Sequence, residues 1–130
     1  MDGLPLLNFA SGEPALLETH VGPKGLAATY LQQDPATGRW LPVAAYSREL
    51  APPELQKSVA LLEITAIQEA LKKVPYVALY ADALEVRVSP EVAQVFKSKL
   101  HLGPELTWRV CDIQAYGVKV VSVPGKPSGV

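Results

Sequence analysis

The chain has 130 residues, of which 48% are hydrophobic and 19% charged, and its net charge is −1. This length and composition predict one globular domain with its own hydrophobic core rather than a disordered chain. The near-neutral charge gives no global basic field for holding nucleic acid, although a local basic patch is compatible with it. No uninterrupted apolar run reaches the roughly 18 residues that predict a membrane-spanning helix.

The single cysteine, Cys111, excludes an internal disulfide and is typical of a reducing setting. Its apolar neighbours Trp108, Val110 and Ile113 predict a buried, inert thiol. The N-terminus has no basic segment of the kind that begins a signal peptide. We therefore expect an intracellular protein, in the cytoplasm or nucleus, whose domain does not insert into a membrane.

The first part of the chain predicts an irregular, extended lead-in over residues 1–13 and then an antiparallel meander of three strands. The strands are predicted over residues 14–21, 26–33 and 39–47, with turn signals between them at 22–25 and 34–38. Pro42 lies inside the third strand and has no backbone N–H to donate. It therefore predicts that this strand lies at an edge of the sheet.

The longest helical pattern covers Glu54–Val74, where apolar residues recur at spacings of three and four. These residues form two rows: Leu55, Val59, Leu62, Ala66 and Ala70, and Ala60, Ile64, Ile67 and Leu71. Lys57, Gln68 and Lys72 are predicted to face the other way. Glu63 falls inside the apolar arc, where a charge is costly to bury. It is interpreted either as a partly buried acid with a hydrogen-bond or arginine partner, or as a carboxylate directed at a functional site.

The remaining pattern predicts a fourth strand over residues 84–88, two helices that begin near Ser89 and Gly103, and a last strand over 117–123. Ser89 has the character of an N-cap, and Pro90 fits the first helical turn. The order of elements is that of an α/β domain, in which the fourth strand can pair in parallel after a helical crossover. The domain is predicted over residues 14–124 and a flexible tail over 125–130.

Four segments match the pattern of a known family: Pro42–Pro52 (PVAAYSRELAP), Leu62–Lys73 (LEITAIQEALKK), Leu84–Pro90 (LEVRVSP) and the stretch from Tyr116 through Pro124-Gly125-Lys126. These segments resemble the RNase H-like domains of gypsy-type retrotransposon and retroviral polyproteins. The lead-in and first two strands also resemble the connection domain of gammaretroviral reverse transcriptase, an RNase H-like fold without catalysis. The resemblance implies a ribonuclease H-like fold with a five-stranded mixed sheet, an antiparallel three-strand meander plus two later strands, with helices packed on it. It also implies a host protein domesticated from such an element.

The resemblance further implies an ancestral nuclease in which carboxylates hold two divalent metal ions about 4 Å apart. Carried onto this chain, the family's helix Glu falls on Glu63 and its fourth-strand Asp on Ser89. Its first-strand Asp falls on His20 if the strand is aligned without a gap from Leu17 to Gln32. The late Asp would lie beyond Lys126, where the chain reads Pro127-Ser128-Gly129-Val130. With one carboxylate of four retained, we expect no catalysis, a lost Mg²⁺ site, and neither a metal nor another cofactor.

A small basic cluster is formed by Lys97, Lys99 and His101. It is interpreted as a solvated helix end whose cations complement the helix dipole, or as a remnant nucleic-acid contact joined by Trp108 and Arg109. Three functions follow: a structural or protein-interaction module, a nucleic-acid-binding module without cleavage, and residual metal-dependent RNase H activity. The expected partner is another protein or another domain of the same polypeptide, and the sequence leaves the oligomeric state open.

Overall fold

The computed structural model describes residues 9–98 and 103–124. Their elements are, in chain order, β1 (Ala15–Val21), β2 (Gly25–Gln33), β3 (Trp40–Glu49), α1 (Val59–Lys73), α2 (Pro75–Tyr80), β4 (Leu84–Val88), α3 (Pro90–Ser98), α4 (Pro104–Gln114) and β5 (Lys119–Ser122). Residues 1–8 of the predicted lead-in, Lys99, His101 and the predicted tail lie outside the described residues. Within the described ranges no helix is both long enough and apolar enough to cross a membrane.

The strands form a five-stranded mixed sheet in the order β3-β2-β1-β4-β5. β2 pairs antiparallel with β1 and with β3, whereas β4 pairs parallel with β1 and with β5. The predicted meander followed by two later strands is therefore confirmed. β3 lies at an edge of the sheet, as the internal Pro42 predicted, because an edge strand tolerates a residue without a backbone N–H.

The hydrophobic core combines residues of the sheet with residues of α1, α2, α3 and α4. Val21 at the end of β1 packs with Leu62 and Ala66 of α1, which identifies the face of the sheet that α1 covers. On the same face, the buried ring of Tyr30 reaches the helix, and its hydroxyl donates a hydrogen bond to the Ala70 carbonyl at 2.9 Å. Burial raises the pKa of Tyr30 well above its usual value, so this hydroxyl stays a donor.

The predicted long helix is divided into two elements. A 3₁₀ turn covers Pro52–Gln56, and α1 begins only at Val59, after the N-cap Ser58. The hydroxyl of Ser58, whose backbone is extended, accepts a hydrogen bond from the Leu61 N–H at 3.1 Å, which favours a new helix start at this point. The prediction that Leu55 and Val59 are buried is wrong, since these side chains are 56% and 41% exposed.

Two further features differ from the sequence prediction. The helical pattern predicted to end at Val74 is followed by Pro75, which begins the short helix α2, because proline fits the first turn of a helix. Cys111 is exposed, so the prediction of a buried thiol is wrong. α4 buries Val110 and Ile113 and leaves Cys111 on its solvent side.

Candidate functional site

Glu63 and Ser89 lie in direct contact inside the domain, and each is 1% exposed. Glu63 belongs to α1, whereas Ser89 follows the last residue of β4. The Ser89 backbone N–H donates to Glu63 Oε2, and the Ser89 hydroxyl donates to Glu63 Oε1, each at 3.1 Å. The helix acid and the position at the end of the fourth strand, which the family resemblance connected, therefore meet in space.

Ser89 also has the predicted role of helix cap. Its Oγ accepts a hydrogen bond from the Val92 N–H at 3.3 Å, in the first turn of α3. One hydroxyl therefore joins the start of α3 to the carboxylate of Glu63 on α1. Of the two interpretations of Glu63, the structure displays the buried acid with hydrogen-bond partners.

His20 does not join this pair. Along β1, Thr19 and Val21 are 2% and 3% exposed and face α1, whereas His20 is exposed on the opposite face of the sheet. His20 therefore lies on the face of the sheet that is turned away from Glu63. In a strand, an offset of one residue moves a side chain to the other face, so the alignment that leads to His20 is one residue away from the position that faces Glu63.

Thr19 is the polar residue that β1 presents to α1. Leu17 pairs with Val86 in the parallel ladder between β1 and β4, so Thr19 lies level with Val88, next to Ser89. The Thr19 hydroxyl oxygen is buried and has no hydrogen-bond partner among the described residues. The residues that β1, α1 and the end of β4 bring to this place are thus a threonine, a glutamate and a serine.

The described residues contain no group of three or more His, Cys, Asp or Glu side chains that could hold a metal ion. Two nearby acids, Glu18 and Asp112, have partners of their own. Glu18, on the face of the sheet that carries His20, lies 3.9 Å from Arg87. Asp112 of α4 accepts a hydrogen bond from Gln68 at 2.8 Å. Neither arrangement supplies a second carboxylate beside Glu63.

The basic residues singled out in the sequence are divided between two parts of the domain. Lys97 lies in the last turn of α3, which packs against β4 and β5. Trp108 and Arg109 belong to α4, which packs against α1. There they meet Lys72, whose Nζ lies 5.2 Å from the centre of the Trp108 ring, while Arg109 Cζ lies 5.0 Å from it. The structure therefore groups Trp108 and Arg109 with a lysine of α1.

Gln68 connects the same two helices, and the prediction that it faces solvent is wrong because it is 1% exposed. Its Nε2 donates to Asp112 at 2.8 Å, and its Oε1 accepts a hydrogen bond from Arg109 Nη1. The hydrogen bond from Gln68, followed by that from Lys72, holds the pKa of Asp112 below its usual value. Helical periodicity alone could not reveal this role, because both partners come from α4.

Arg48 of β3 forms a second polar connection that the sequence did not reveal. Its guanidinium donates to both oxygens of Glu54 at 2.7 Å and to Glu69 Oε2 at 2.8 Å. The hydrogen bonds that Arg48 donates to Glu54 lower the pKa of Glu54 to about 2. Burial raises the pKa of Glu69, but hydrogen bonds from Arg48 and Tyr46 outweigh burial and leave it below the usual value. Arg48 therefore ties the edge strand to the 3₁₀ turn and to α1.

A groove of about 450 Å³ lies between β3, α1 and α4, next to these two polar connections. Its walls include Tyr46, Glu69, Lys73 and Trp108. Trp108 is 48% exposed and lines this groove rather than the core.

Residues 4–86 match the family of RNase H-like domains found in reverse transcriptase. This match covers more than half of the chain, so the chain belongs to that family. Foamy viral protease-reverse transcriptase, solved in complex with dsDNA, is similar with a TM-score of 0.61 and 19% identity, over 91% of this chain and 25% of that chain. The native protease-reverse transcriptase of prototype foamy virus gives a TM-score of 0.56 and 20% identity, over 93% of this chain and 16% of that chain.

The chain thus spans a quarter or less of the foamy virus chains that it matches. At these identities the likeness establishes the ribonuclease H-like fold, as the sequence predicted. No curated protein sequence matches the chain significantly.

Proposed function

We propose that this domain is a catalytically inactive RNase H-like module, a pseudo-nuclease, that serves as a structural or protein-interaction unit of a larger protein. The observation that carries the proposal is the engagement of Glu63. Both of its carboxylate oxygens accept hydrogen bonds from Ser89, and Glu63 and Ser89 are each only 1% exposed. A divalent ion at Glu63 would have to replace these donors, and it would find no carboxylate on Thr19 or Ser89.

The chemistry of two-metal hydrolysis supports the same conclusion. Mg²⁺ requires oxygen ligands in near-octahedral geometry and gives up its waters reluctantly. Two such ions stabilise the attacking and leaving oxygens only when several ligands hold both ions in place. A single buried carboxylate beside two neutral hydroxyls carries too little negative charge for that task, so we propose that no Mg²⁺ or other cofactor is bound.

A cleavage assay tests this proposal. The chain and its Glu63→Gln variant are incubated with an RNA–DNA hybrid in Mg²⁺ and, separately, in Mn²⁺. The variant keeps the size of the side chain and removes the charge, so it is the matched control. We expect no cleavage by the unaltered chain above that of the variant. Metal-dependent cleavage that disappears in Glu63→Gln would overturn the proposal and identify residual RNase H activity.

A nucleic-acid-binding module without cleavage is the second candidate, favoured by the foamy viral structure in complex with dsDNA. The net charge of −1 argues against a strong electrostatic contribution. Binding of duplex DNA and of RNA–DNA hybrid, measured by fluorescence anisotropy at about 50 and 200 mM salt, tests it. Steeply salt-dependent binding that weakens in Lys97→Glu or Arg109→Gln would support this candidate, and weak binding insensitive to salt would contradict it.

We also propose that the parent polypeptide is a host protein domesticated from a retroelement, of the kind that joins an NYN domain to retroviral integrase sequence. Support comes from family membership together with the neutral residues at the Thr19 and Ser89 positions. The single cysteine favours a reducing compartment, the cytoplasm or nucleus. Immunoblotting of fractionated cells tests the compartment, and recovery of the protein in the secretory fraction would contradict it.

A further inference from the structure

We propose that the groove beside Trp108 binds a short acidic segment of a partner protein. The carboxylates of that segment would contact Lys72 and Lys73, and an apolar side chain between them would pack on the Trp108 ring. This inference rests on the proposed protein-interaction function and gives the chemistry of the partner. Its support comes from the donors, acceptors and charges around the groove.

The acidic side chain in the wall of the groove, Glu69, already accepts hydrogen bonds from other residues of the domain. Glu69 Oε1 accepts hydrogen bonds from Arg48 Nε and from the Tyr46 hydroxyl, the latter at 2.9 Å. Its Oε2 accepts from Arg48 Nη2 at 2.8 Å. Because Arg48 and Tyr46 use this carboxylate, the groove offers an incoming cation little unengaged negative charge.

Several hydrogen-bond donors in the same walls have N–H groups that are not used within the described part of the chain. No carboxylate of the described chain lies within ion-pair distance of Lys73, and Trp108 Nε1 donates no hydrogen bond to a described residue. Lys72 contacts one carboxylate, Asp112, at 3.3 Å, whereas an ammonium group has three N–H donors. The unengaged hydrogen-bonding capacity of the groove is therefore that of donors and positive charge, which complements carboxylate oxygens.

Trp108 provides the apolar contact and is held in place before any partner arrives. Lys72 and Arg109 lie 5.2 and 5.0 Å from its ring centre, within the range of cation–π attraction. Arg109 is in turn fixed by Gln68 and lies 3.6 Å from Glu105. An exposed tryptophan on a rigid helix beside arginine is typical of the residues that dominate binding energy at protein interfaces.

A protein segment fits these features better than nucleic acid does. A phosphate backbone is held by a broad positive field, whereas the cations that line this groove are few and local. One or two carboxylates with an apolar neighbour need only the local donors and the free part of the indole.

Fluorescence anisotropy tests the inference with a fluorescein-labelled peptide of about twelve residues in which Glu and Leu alternate. The same peptide with Gln in place of Glu is its matched control, and a labelled oligothymidine of similar length reports on nucleic acid. We expect saturable binding of the Glu peptide and binding about tenfold or more weaker for the Gln peptide. Lys73→Glu and Trp108→Ala should each weaken binding of the Glu peptide about tenfold. Lys24→Glu, the same charge change in the turn between β1 and β2, should leave it unchanged.

Equal binding of the Glu and Gln peptides, or full binding by both groove variants, would overturn the inference. Tighter binding of oligothymidine that is lost in the same variants would also overturn it and assign the groove to nucleic acid. The variants change exposed side chains, and their amide NMR spectra verify that the fold is kept. If the domain cleaved hybrid but still bound the Glu peptide as expected, the pseudo-nuclease proposal would fail while the groove assignment stood.

Discussion

Glu63 of α1 accepts two hydrogen bonds from Ser89, one from its backbone N–H and one from its hydroxyl, each at 3.1 Å. Because Ser89 follows β4 and caps α3, this contact joins three elements in the interior of the domain. We infer that a carboxylate position used for metal binding in the family acts here as a structural hydrogen-bond acceptor. The first two predictions address this contact.

Ser89→Ala should destabilise the domain by about 1–3 kcal/mol. The substitution removes the hydroxyl donor to the buried Glu63 and the acceptor for the Val92 N–H. Urea unfolding followed by circular dichroism measures the change. Ser47→Ala, which removes an exposed hydroxyl from β3, is the matched control and should change stability by less than about 0.5 kcal/mol. If both substitutions lowered the free energy of unfolding equally, the Glu63–Ser89 contact would contribute no more to stability than an exposed hydroxyl does.

Carboxylates placed at Thr19 and Ser89 should restore metal binding. The double variant Thr19→Asp/Ser89→Asp puts two acids on the side of the sheet that faces Glu63. Like charges at close range should make this variant less stable than the unaltered chain without metal. Saturating Mn²⁺ should then raise its melting temperature, because a ligand that binds only the folded state stabilises it.

The double variant His20→Asp/Ser89→Asp is the control for the first-strand position. It carries the same number of added charges, but the residue at position 20 is on the opposite face of the sheet. Its melting temperature should respond to Mn²⁺ less than that of the Thr19 variant. A larger response in the His20 variant would contradict the assignment of Thr19 as the residue that faces α1.

Arg48→Lys should lower stability by about 1–3 kcal/mol, since one ammonium cannot reproduce the paired hydrogen bonds to Glu54 and Glu69. The side chains of this network are only about a quarter exposed, at 21–27%. Urea unfolding is the measurement. Arg39→Lys changes an exposed arginine with no ion pair in the described chain, and it should have almost no effect. A comparable loss in Arg39→Lys would contradict the role given to Arg48.

Acidification should weaken the same network in a defined direction. Hydrogen bonds from Arg48 lower the pKa of Glu54 from 4.5 to about 2. Between these values the unfolded chain binds more protons than the folded one, so stability increases with pH in this window. The contribution of Glu54 is therefore present above about pH 4.5 and is lost as the pH falls toward 2. Urea unfolding across this range should give a shallower pH dependence for Glu54→Gln, and an unchanged dependence would contradict the prediction.

The fold could be predicted largely because local signals and the family resemblance agree. Alternation in β4, the turn at residues 34–38 and the cap at Ser89 each fix a short element, and Pro42 fixes an edge strand. The division of the predicted long helix was missed because Leu55 and Val59 continue the apolar spacing of α1. The extended backbone at Ser58 interrupts the helix, and spacing alone contains no information about that interruption.

The candidate site could be predicted only in part. Glu63 and Ser89 lie in segments with a clear pattern, and they meet as the resemblance implied. A gap-free alignment of the first strand leads to His20, but alignment carries no information about which face of the sheet a residue occupies, and an offset of one residue moves a strand side chain to the other face. Gln68 and Arg48 were missed for a different reason. Their partners lie on other elements, and a polar residue in a helical or strand pattern gives no sign of which distant side chain it will meet.

The measurement that tests the central proposal most directly is a titration of Mg²⁺ and then Mn²⁺ into the isotope-labelled chain, observed by NMR. The amides of Thr19, Glu63 and Ser89 report on the position of the ancestral metal site. If Glu63 is a structural acceptor, millimolar metal should produce no localised shift or broadening at these three amides. Saturable changes clustered on them would show that a metal site survives and would contradict the pseudo-nuclease proposal.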